Sequence, residues 1–431
     1  MQPRLRFLLG LLGVALGSAL FAVAFRFGLS WWYRAVFAED NVVRSIAGLP
    51  WWLRLAVPAA GGFAAGVIAR WRKAPSQGVS NVMEAVVLGH VRLSLRTTLS
   101  RVSSSAVAIA TGMSIGREGP LIEFGGSLGA FSGRRMRMSL DETRVLVAAG
   151  TAAGFAAAYN TPFAAILFVF ETIIGIATPS ALLPAMTATV IAAVVTRALV
   201  GAGPIYGQRM FEIQAASDLG WLLALGAIAA VVATAFKSVL AQTEEIMERR
   251  LAQQPWRAAV GGLVVGLLAI WLPDVTGNGY EPLNELLDHR MAAATVGVLL
   301  LAKIAATSAS VASGVPGGVF TPMLLVGAAC GSLWAQLVAA LVPSASPDIG
   351  AYALVGMAAT TAASIHAPLT AAVLVFELSG DYAIVVPLIL ATAVSTALSR
   401  AMGVESVYEA ELRRRGISWE LTLEGRDFER K

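Results

Sequence analysis

Gly116-Arg117-Glu118-Gly119-Pro120 is a short polar motif that opens onto an apolar run, residues 121–131. Glycines around a carboxylate, with a proline after it, predict a loop that ends at a helix start, where the first backbone N–H groups are free. Those N–H groups and the positive end of the helix dipole attract negative charge. Acidic residues also begin ordinary helices, so the motif alone is equally compatible with a structural role.

The composition around this motif is that of a membrane protein. Of the 431 residues, 57% are hydrophobic and 14% are charged. Residues 304–347 and 172–196 contain no Asp, Glu, Lys or Arg, so whole helices are expected in lipid or in the protein interior. We therefore predict an all-α polytopic integral membrane protein. A carboxylate within such a chain is costly, which makes Glu118 a candidate functional residue.

Charge and cysteine content exclude several classes of function. The net charge of +5 comes from short basic segments such as residues 134–137 and 413–415, which are typical of membrane loops rather than of a nucleic-acid surface. The single cysteine, Cys330, excludes a disulfide framework, and the three histidines are too scattered for a metal centre. No metal, cofactor or nucleic-acid partner is expected.

The N-terminal apolar run, residues 7–25, follows Arg4 and Arg6 and could be a signal peptide or a retained membrane helix. Ala22-Val23-Ala24 resembles a cleavage site, but the run is long for a signal peptide. We favour a retained first helix. The aromatic residues 31–33 are predicted to lie in a polar connection after it, as interface anchors.

The chain contains an internal repeat. A shift of 206 positions lays residues 150–171 over residues 356–377, with ten of the 22 positions identical. A shift of 202 lays Gly116 on Gly318 and Pro120 on Pro322, which predicts two broken helices, one starting near Glu118 and one near Phe320. Membrane repeats whose helices are interrupted by glycine and proline at corresponding positions indicate a transport site at the repeat interface.

The repeat also predicts the domain organisation. Glu171 and Glu377 recur at the same place in both halves, so we interpret them as scaffold groups. The predicted divisions are one transmembrane domain at residues 1–403, with repeats at about 50–200 and about 258–400, and a short charged cytoplasmic tail at residues 404–431.

The pattern G-[KR]-E-G-P at residues 116–120, together with G-x-F-x-P at residues 318–322, resembles the CLC family of chloride channels and proton-coupled chloride transporters. Similarity extends to residues 275–280, 312–314 and 406–408. The resemblance covers nearly the whole chain. It implies a CLC-type inverted-repeat fold in which broken, re-entrant helices meet at an intramembrane anion site, packed as a homodimer with one pathway in each subunit.

The resemblance further implies roles for individual residues. Glu118 is similar to the gating glutamate of the family. A dehydrated anion would be held by backbone N–H groups and one hydroxyl, contributed by Arg117, Gly119, Val319, Phe320 and Tyr408. Helix N-termini suit this task because they supply partial positive charge without trapping the ion. Chloride and protons are the expected substrates.

Two positions depart from the family pattern. The resemblance implies that Gln77 and Gly78, in the early pore motif, also bind the anion. Gln77 stands where a serine or proline is usual in the family, although a shift of one residue would put Ser76 there. Many proton-coupled members have two consecutive glutamates where this chain has Glu171 and Thr172. Threonine does not titrate, so proton-coupled antiport and a passive voltage- or pH-gated channel both remain open. We favour antiport, since compact members are more often exchangers.

The sequence disfavours several alternatives to compact chloride transport. Fluoride-exporting relatives differ at the proline and tyrosine positions that this chain fills with Pro120 and Tyr408. An intramembrane enzyme would need a catalytic pair or zinc motif that the sequence lacks. A tail of this length is too short for nucleotide-sensing CBS domains. The sequence thus predicts a compact transporter, not an enzyme, located in a bacterial inner membrane.

Overall fold

The computed structural model describes residues 2–71, 78–87, 89, 93–175, 178–207, 209, 218–251, 255–422 and 425–430. The helices and strands in these ranges are α1 Pro3–Phe37, α2 Val42–Ala47, α3 Trp51–Trp71, α4 Val79–Val87, α5 Leu95–Ala110, α6 Glu118–Arg135, α7 Leu140–Tyr159, α8 Pro162–Phe168, α9 Pro179–Val200, α10 Asp218–Arg250, α11 Trp256–Trp271, α12 Tyr280–Leu287, α13 Ala293–Ala312, α14 Phe320–Leu341, α15 Ile349–Ile365, α16 Pro368–Ser379, α17 Val385–Ala401, α18 Val407–Arg414, β1 Ile417–Thr422 and β2 Gly425–Arg430.

The predicted all-α membrane fold is confirmed. Six segments among the described residues are long and apolar enough to cross a membrane by length and composition, namely Pro3–Ala47, Trp51–Arg70, Pro179–Val200, Asp218–Arg250, Ala293–Ala312 and Phe320–Leu341. Shorter apolar helices pack among them. Beyond the helical body, β1 and β2 form a two-stranded antiparallel hairpin in which Ile417 lies opposite Arg430.

The first helix is longer than the sequence pattern predicted. It continues through the aromatic residues 31–33 to Phe37 and ends where Ala38 adopts a left-handed conformation with φ of 56°. The expectation that these aromatic residues lie in a connection was therefore wrong. No proline interrupts the helix there, and Gly28 is tolerated within it. Val14 and Ala15 on the same helix are fully buried in the protein body.

The internal repeat reappears as two equivalent helix pairs, α6 with α7 and α14 with α15. A Cβ atom added to Gly125 would lie 2.0 Å from the carbonyl oxygen of Gly150. At the equivalent position, a Cβ atom on Gly327 would lie 2.5 Å from the carbonyl oxygen of Gly356. Glycine lets both backbones approach this closely, which is how helices pack tightly in lipid.

Glu171 and Glu377 form a second pair of equivalent contacts, between the two halves. Glu171 accepts hydrogen bonds from the backbone N–H groups of Leu369 and Thr370, at 3.1 and 2.6 Å, in the first turn of α16. Glu377 accepts two from the first turn of α8, at 3.2 and 2.8 Å. Each carboxylate thus satisfies free N–H groups at a helix N-terminus, in keeping with the predicted scaffold role.

Candidate functional site

The two glycine-rich motifs meet in space. Gly116 N–H donates to the carbonyl of Gly318 at 2.7 Å, and Gly318 N–H donates to the carbonyl of Gly116 at 2.9 Å. These reciprocal bonds form an isolated antiparallel bridge between the two loops. The helices that follow, α6 and α14, begin at Glu118 and Phe320, which confirms the two helix starts that the sequence predicted. Two broken helices therefore have their N-termini close together.

The Glu118 carboxylate fills the space beside both glycines of this bridge, so a side chain at either position would displace the carboxylate. A Cβ atom on Gly116 would lie 2.0 Å from Glu118 Oε1, and one on Gly318 would lie 2.2 Å from the same oxygen. Either contact is far shorter than a van der Waals separation. The loops are therefore shaped around the carboxylate.

The Glu118 side chain crosses from α6 to the N-terminus of α14. It is only 1% exposed, and Oε1 accepts the backbone N–H of Thr321 at 3.2 Å. Oε2 accepts the Thr321 hydroxyl at 2.8 Å. The Tyr159 hydroxyl lies 2.9 Å from the same Thr321 oxygen. Because threonine has a single hydroxyl hydrogen, Tyr159 donates to Thr321 while Thr321 donates to Glu118.

A cavity of about 360 Å³ opens next to this carboxylate. Four helices begin at it, because the first residues of α4, α6, α14 and α18 all line its wall. A helix start carries backbone N–H groups and partial positive charge. Such a cavity is suited to an anion that has lost part of its water shell.

The structure brings together most of the predicted site residues at this cavity, namely Gly78, Glu118, Gly119, Val319, Phe320 and Tyr408. Arg117 differs, because its guanidinium lies over the ring of Tyr280, 5.0 Å from the ring centroid. Gln77 lies outside the described residues. Arg117 is therefore placed to contribute its backbone N–H group and a positive electrostatic potential to the site, while its side chain contacts an aromatic ring.

Tyr408 is held by the start of α18. Ser406 and Glu409 form a capping box, with Ser406 Oγ accepting the Glu409 N–H at 3.2 Å and Glu409 Oε2 accepting the Ser406 N–H at 2.9 Å. The Tyr408 ring packs edge-on against Phe168, with centroids 6.3 Å apart. Phe168 in turn lies 6.4 Å from Phe320. An aromatic wall therefore connects Tyr408 to the helix start beside Glu118.

Charged side chains from several helices, among them α5, α6, α10, α11 and α18, line the cavity, and they form oppositely charged pairs. The pairs are Arg101 with Glu123 at 3.1 Å, Arg257 with Glu248 at 3.7 Å, Arg414 with Glu244, and Arg415 with Glu411. The Arg101–Glu123 pair is the most enclosed of them, with side chains 6% and 5% exposed. The mouth of the cavity is thus highly charged, although its charges are largely balanced.

Sequence reasoning missed four residues that shape the site. Thr321 occupies a variable position of the G-x-F-x-P motif, and Tyr159 lies in an apolar segment, but neither position signals contact with Glu118. Tyr280 entered the sequence analysis only within residues 275–280 of the family resemblance. Ser406 carried a usable signal, since S-x-x-E is the sequence pattern of a capping box.

Comparison with known proteins agrees with this architecture. The family model described as voltage gated chloride channel matches residues 60–400. A putative chloride channel protein ClcB-like from Ralstonia nicotianae is 38% identical over 94% of this chain and 96% of its own length. The voltage-gated ClC-type chloride channel ClcB of Salmonella typhimurium is 31% identical over 91% of this chain and 95% of its own.

Solved structures share the fold. A slow cyanobacterial Cl⁻/H⁺ antiporter superimposes with a TM-score of 0.85 at 23% identity, covering 96% of this chain and 98% of the other. A eukaryotic CLC transporter gives a TM-score of 0.77 at 20% identity, covering 96% of this chain and 74% of the other. At these identities the similarity concerns the fold alone.

The inverted repeats and their paired broken helices define a multi-pass integral membrane protein that transports ions. The chain belongs to the voltage-gated chloride channel family, the CLC family. Its activity is therefore chloride transport across a membrane, and its class is that of transport proteins rather than enzymes.

Proposed function

We propose that this protein exchanges chloride for protons and that Glu118 is the gate. The observation that carries the proposal is the position of the Glu118 carboxylate, which occupies the N-terminus of α14 and accepts both the N–H and the hydroxyl of Thr321. A chloride ion would use the same donors. Ionised Glu118 and chloride therefore compete for one place, and protonation frees that place by removing the charge.

The proposed anion pathway runs from this place through the cavity to Tyr408. Backbone N–H groups at Gly119, Val319 and Phe320 supply partial positive charge, and the Tyr408 hydroxyl is a neutral donor that binds an anion without trapping it. The start of α4, at Val79 directly after Gly78, adds a further helix N-terminus to the cavity wall. Gln77 is proposed to extend this part of the site. No cofactor takes part in the cycle.

A passive chloride channel is the alternative, and Thr172 favours it because threonine cannot carry a proton. Antiport requires another route for the proton away from Glu118. The cavity supports such a route, since it extends from Glu118 to carboxylates of α10 and α18 and has room for bridging water. We therefore retain antiport as the proposed activity.

The decisive experiment measures both ions in liposomes that contain the purified full chain. With a chloride gradient, no imposed proton gradient and the potential clamped by valinomycin and potassium, an antiporter moves protons opposite to chloride. Glu118→Gln should retain chloride flux and lose proton movement and pH dependence. Glu245→Gln is the matched control, because Glu245 is an exposed residue whose pairing with Arg249 lies within one helix.

Two results would contradict the proposal in different ways. Chloride flux with a flat proton trace in the unmodified protein would identify a channel. Unchanged pH dependence in Glu118→Gln would remove Glu118 from the gating role, whichever activity is found.

Tyr408 can be tested separately. Tyr408→Phe removes only the hydroxyl and should weaken chloride binding, measured by calorimetry, and lower the proton-to-chloride ratio. Trp52→Ala, at a residue 54% exposed on α3, is the control for a general aromatic effect. Equal changes in the two variants would argue for a role at the membrane interface instead.

Assembly and location complete the proposal. We propose a homodimer with one anion pathway in each subunit, resident in a bacterial inner membrane. Cross-linking of the protein in native membranes should give a dimer, and fractionation should recover it with the inner membrane. Monomer alone at all cross-linker concentrations would contradict the assembly.

A further inference from the structure

One buried ion pair at the cavity has no part in the anion pathway described above. Glu123 on α6 lies 3.1 Å from Arg101 on α5, and the two side chains are 5% and 6% exposed. Both residues line the same cavity as Glu118. Because α6 carries Glu118 and Glu123 five residues apart, their Cα atoms are separated along the helix axis by about 7.5 Å.

The groups that face Glu123 come from three neighbouring elements. Arg101 on α5 and Arg415, directly after α18, contribute positive charge, Glu411 on α18 contributes negative charge, and Asn81 on α4 contributes a side-chain hydrogen bond. The Arg415 guanidinium also donates to Asn81 Oδ1 at 2.9 Å. Glu411 is 31% exposed, so charged groups lead from the enclosed Glu123 to a wetter surface.

Glu123 is better suited to accept a proton than the two residues at the usual family position. Thr172 cannot titrate and, among the described residues, is not part of the wall of this cavity. Glu171 is already bound by the N–H groups of Leu369 and Thr370. Burial disfavours the ionised form of Glu123 whereas the neighbouring Arg101 favours it. Because the two effects oppose each other, neither the protonated nor the ionised form is fixed.

We propose that Glu123 receives the proton that Glu118 releases and passes it toward the mouth of the cavity. Glu118 in its carboxylic acid form gives its proton to cavity water, the water gives one to the Glu123 carboxylate, and Glu118 is left ionised. Glu123 then loses its proton through water near Glu411 to the bulk solution. Arg101 keeps its charge throughout and holds Glu123 in position. The proposal rests on the antiport activity proposed above.

The test is the same liposome measurement, applied to Glu123→Gln. Loss of a positioned proton carrier should reduce proton flux by about a hundredfold, in the range typical of general acid–base groups. Chloride flux should stay close to that of the unmodified protein. Glu123→Asp should restore part of the proton flux because it restores a carboxyl group. Glu245→Gln is again the matched control.

A second variant guards against a simple loss of folding, because removing one partner of a buried ion pair leaves the other charge uncompensated. Arg101→Met combined with Glu123→Gln removes both charges and should still transport chloride while moving few protons. Proton flux at the unmodified level in either Gln-containing variant would overturn the role of Glu123. A parallel fall of both fluxes in the double variant would do the same, since it indicates a structural role.

The outcomes separate this inference from the proposed function. If the unmodified protein moves chloride without protons, both the antiport and the Glu123 relay are wrong. If the unmodified protein exchanges protons and Glu123→Gln exchanges them equally well, only the relay is wrong. Loss of proton flux in Glu123→Gln, with chloride flux retained, supports both the antiport and the Glu123 relay.

Discussion

Thr321→Val is the substitution whose effect can be worked out most directly from the contacts of the gate. It removes the hydroxyl that donates to Glu118 Oε2 at 2.8 Å and leaves the backbone N–H that binds Oε1 at 3.2 Å. Valine has nearly the same shape as threonine, so the packing at the start of α14 should be kept. The variant therefore weakens the hold on the ionised carboxylate without removing it.

The expected magnitude follows from the chemistry of that one bond. A hydrogen bond to a charged group contributes about 1.5–3 kcal/mol, and the carboxylate is 1% exposed, so solvent offers little replacement. Tyr159 loses its hydrogen-bond acceptor in the same variant, whether the carboxylate is bound or released. That part of the free-energy cost falls on both positions of the Glu118 side chain, so the difference between them lies at the lower end of the range. We expect the gate to open about tenfold more readily, since 1.36 kcal/mol corresponds to a factor of ten.

The assay is chloride efflux from liposomes as a function of pH. With the ionised carboxylate held less tightly, protonation should release it at higher pH, and the pH of half-maximal flux should rise by about one unit. Thr321→Ser is the control because it keeps the hydroxyl and should leave the midpoint close to that of the unmodified protein. An unchanged or lowered midpoint in Thr321→Val would refute the view that Thr321 holds the gate closed.

Two further predictions concern the scaffold. Gly125→Ala forces a Cβ atom to within 2.0 Å of the Gly150 carbonyl oxygen and should destabilise the protein by about 1–3 kcal/mol, seen as a lower melting temperature in detergent. Gly13→Ala is the control, because its Cβ atom meets no atom within 4 Å. Equal melting temperatures of the two variants would contradict the packing argument. Glu171→Gln and Glu377→Gln should each lower the stability of the protein by about 1 kcal/mol, through weaker binding at a helix N-terminus, and should leave the proton-to-chloride ratio unchanged. A selective loss of proton coupling in Glu171→Gln would mean that Glu171 carries protons.

The sequence predicted the local parts of the site well because their signals are local. Glycine and proline fix where α6 and α14 begin, and both starts, at Glu118 and Phe320, were correct. The extent of α1 was not predicted, because a change from apolar to aromatic residues marks a change of environment rather than the end of a helix. Helices end at residues such as Ala38, whose left-handed conformation nothing in the local sequence required.

The partners of Glu118 could not be predicted in the same way. Thr321 lies 203 positions further along the chain, and which helix start meets which carboxylate depends on how the two halves pack. The Arg101–Glu123 pair was missed for the same reason, because each residue alone has the pattern of an ordinary helix position. Apart from the family resemblance, the repeat carried the long-range information, since a shift of 202 aligns Gly116 with Gly318.

That repeat explains why the site has one buried carboxylate at the paired helix starts rather than two. Gly116 and Gly318 are equivalent in the two halves and bond to each other reciprocally, as residues beside a pseudo-two-fold axis must. The shift of 202 that relates them also aligns Glu118 with Phe320. Duplication thus supplied two helix N-termini able to bind negative charge, and divergence at this single position left one carboxylate to serve them. Because Glu118 crosses to the N-terminus of the other half, the proposed gating step would expose donors from both halves at once, and a mobile anion would then take its place.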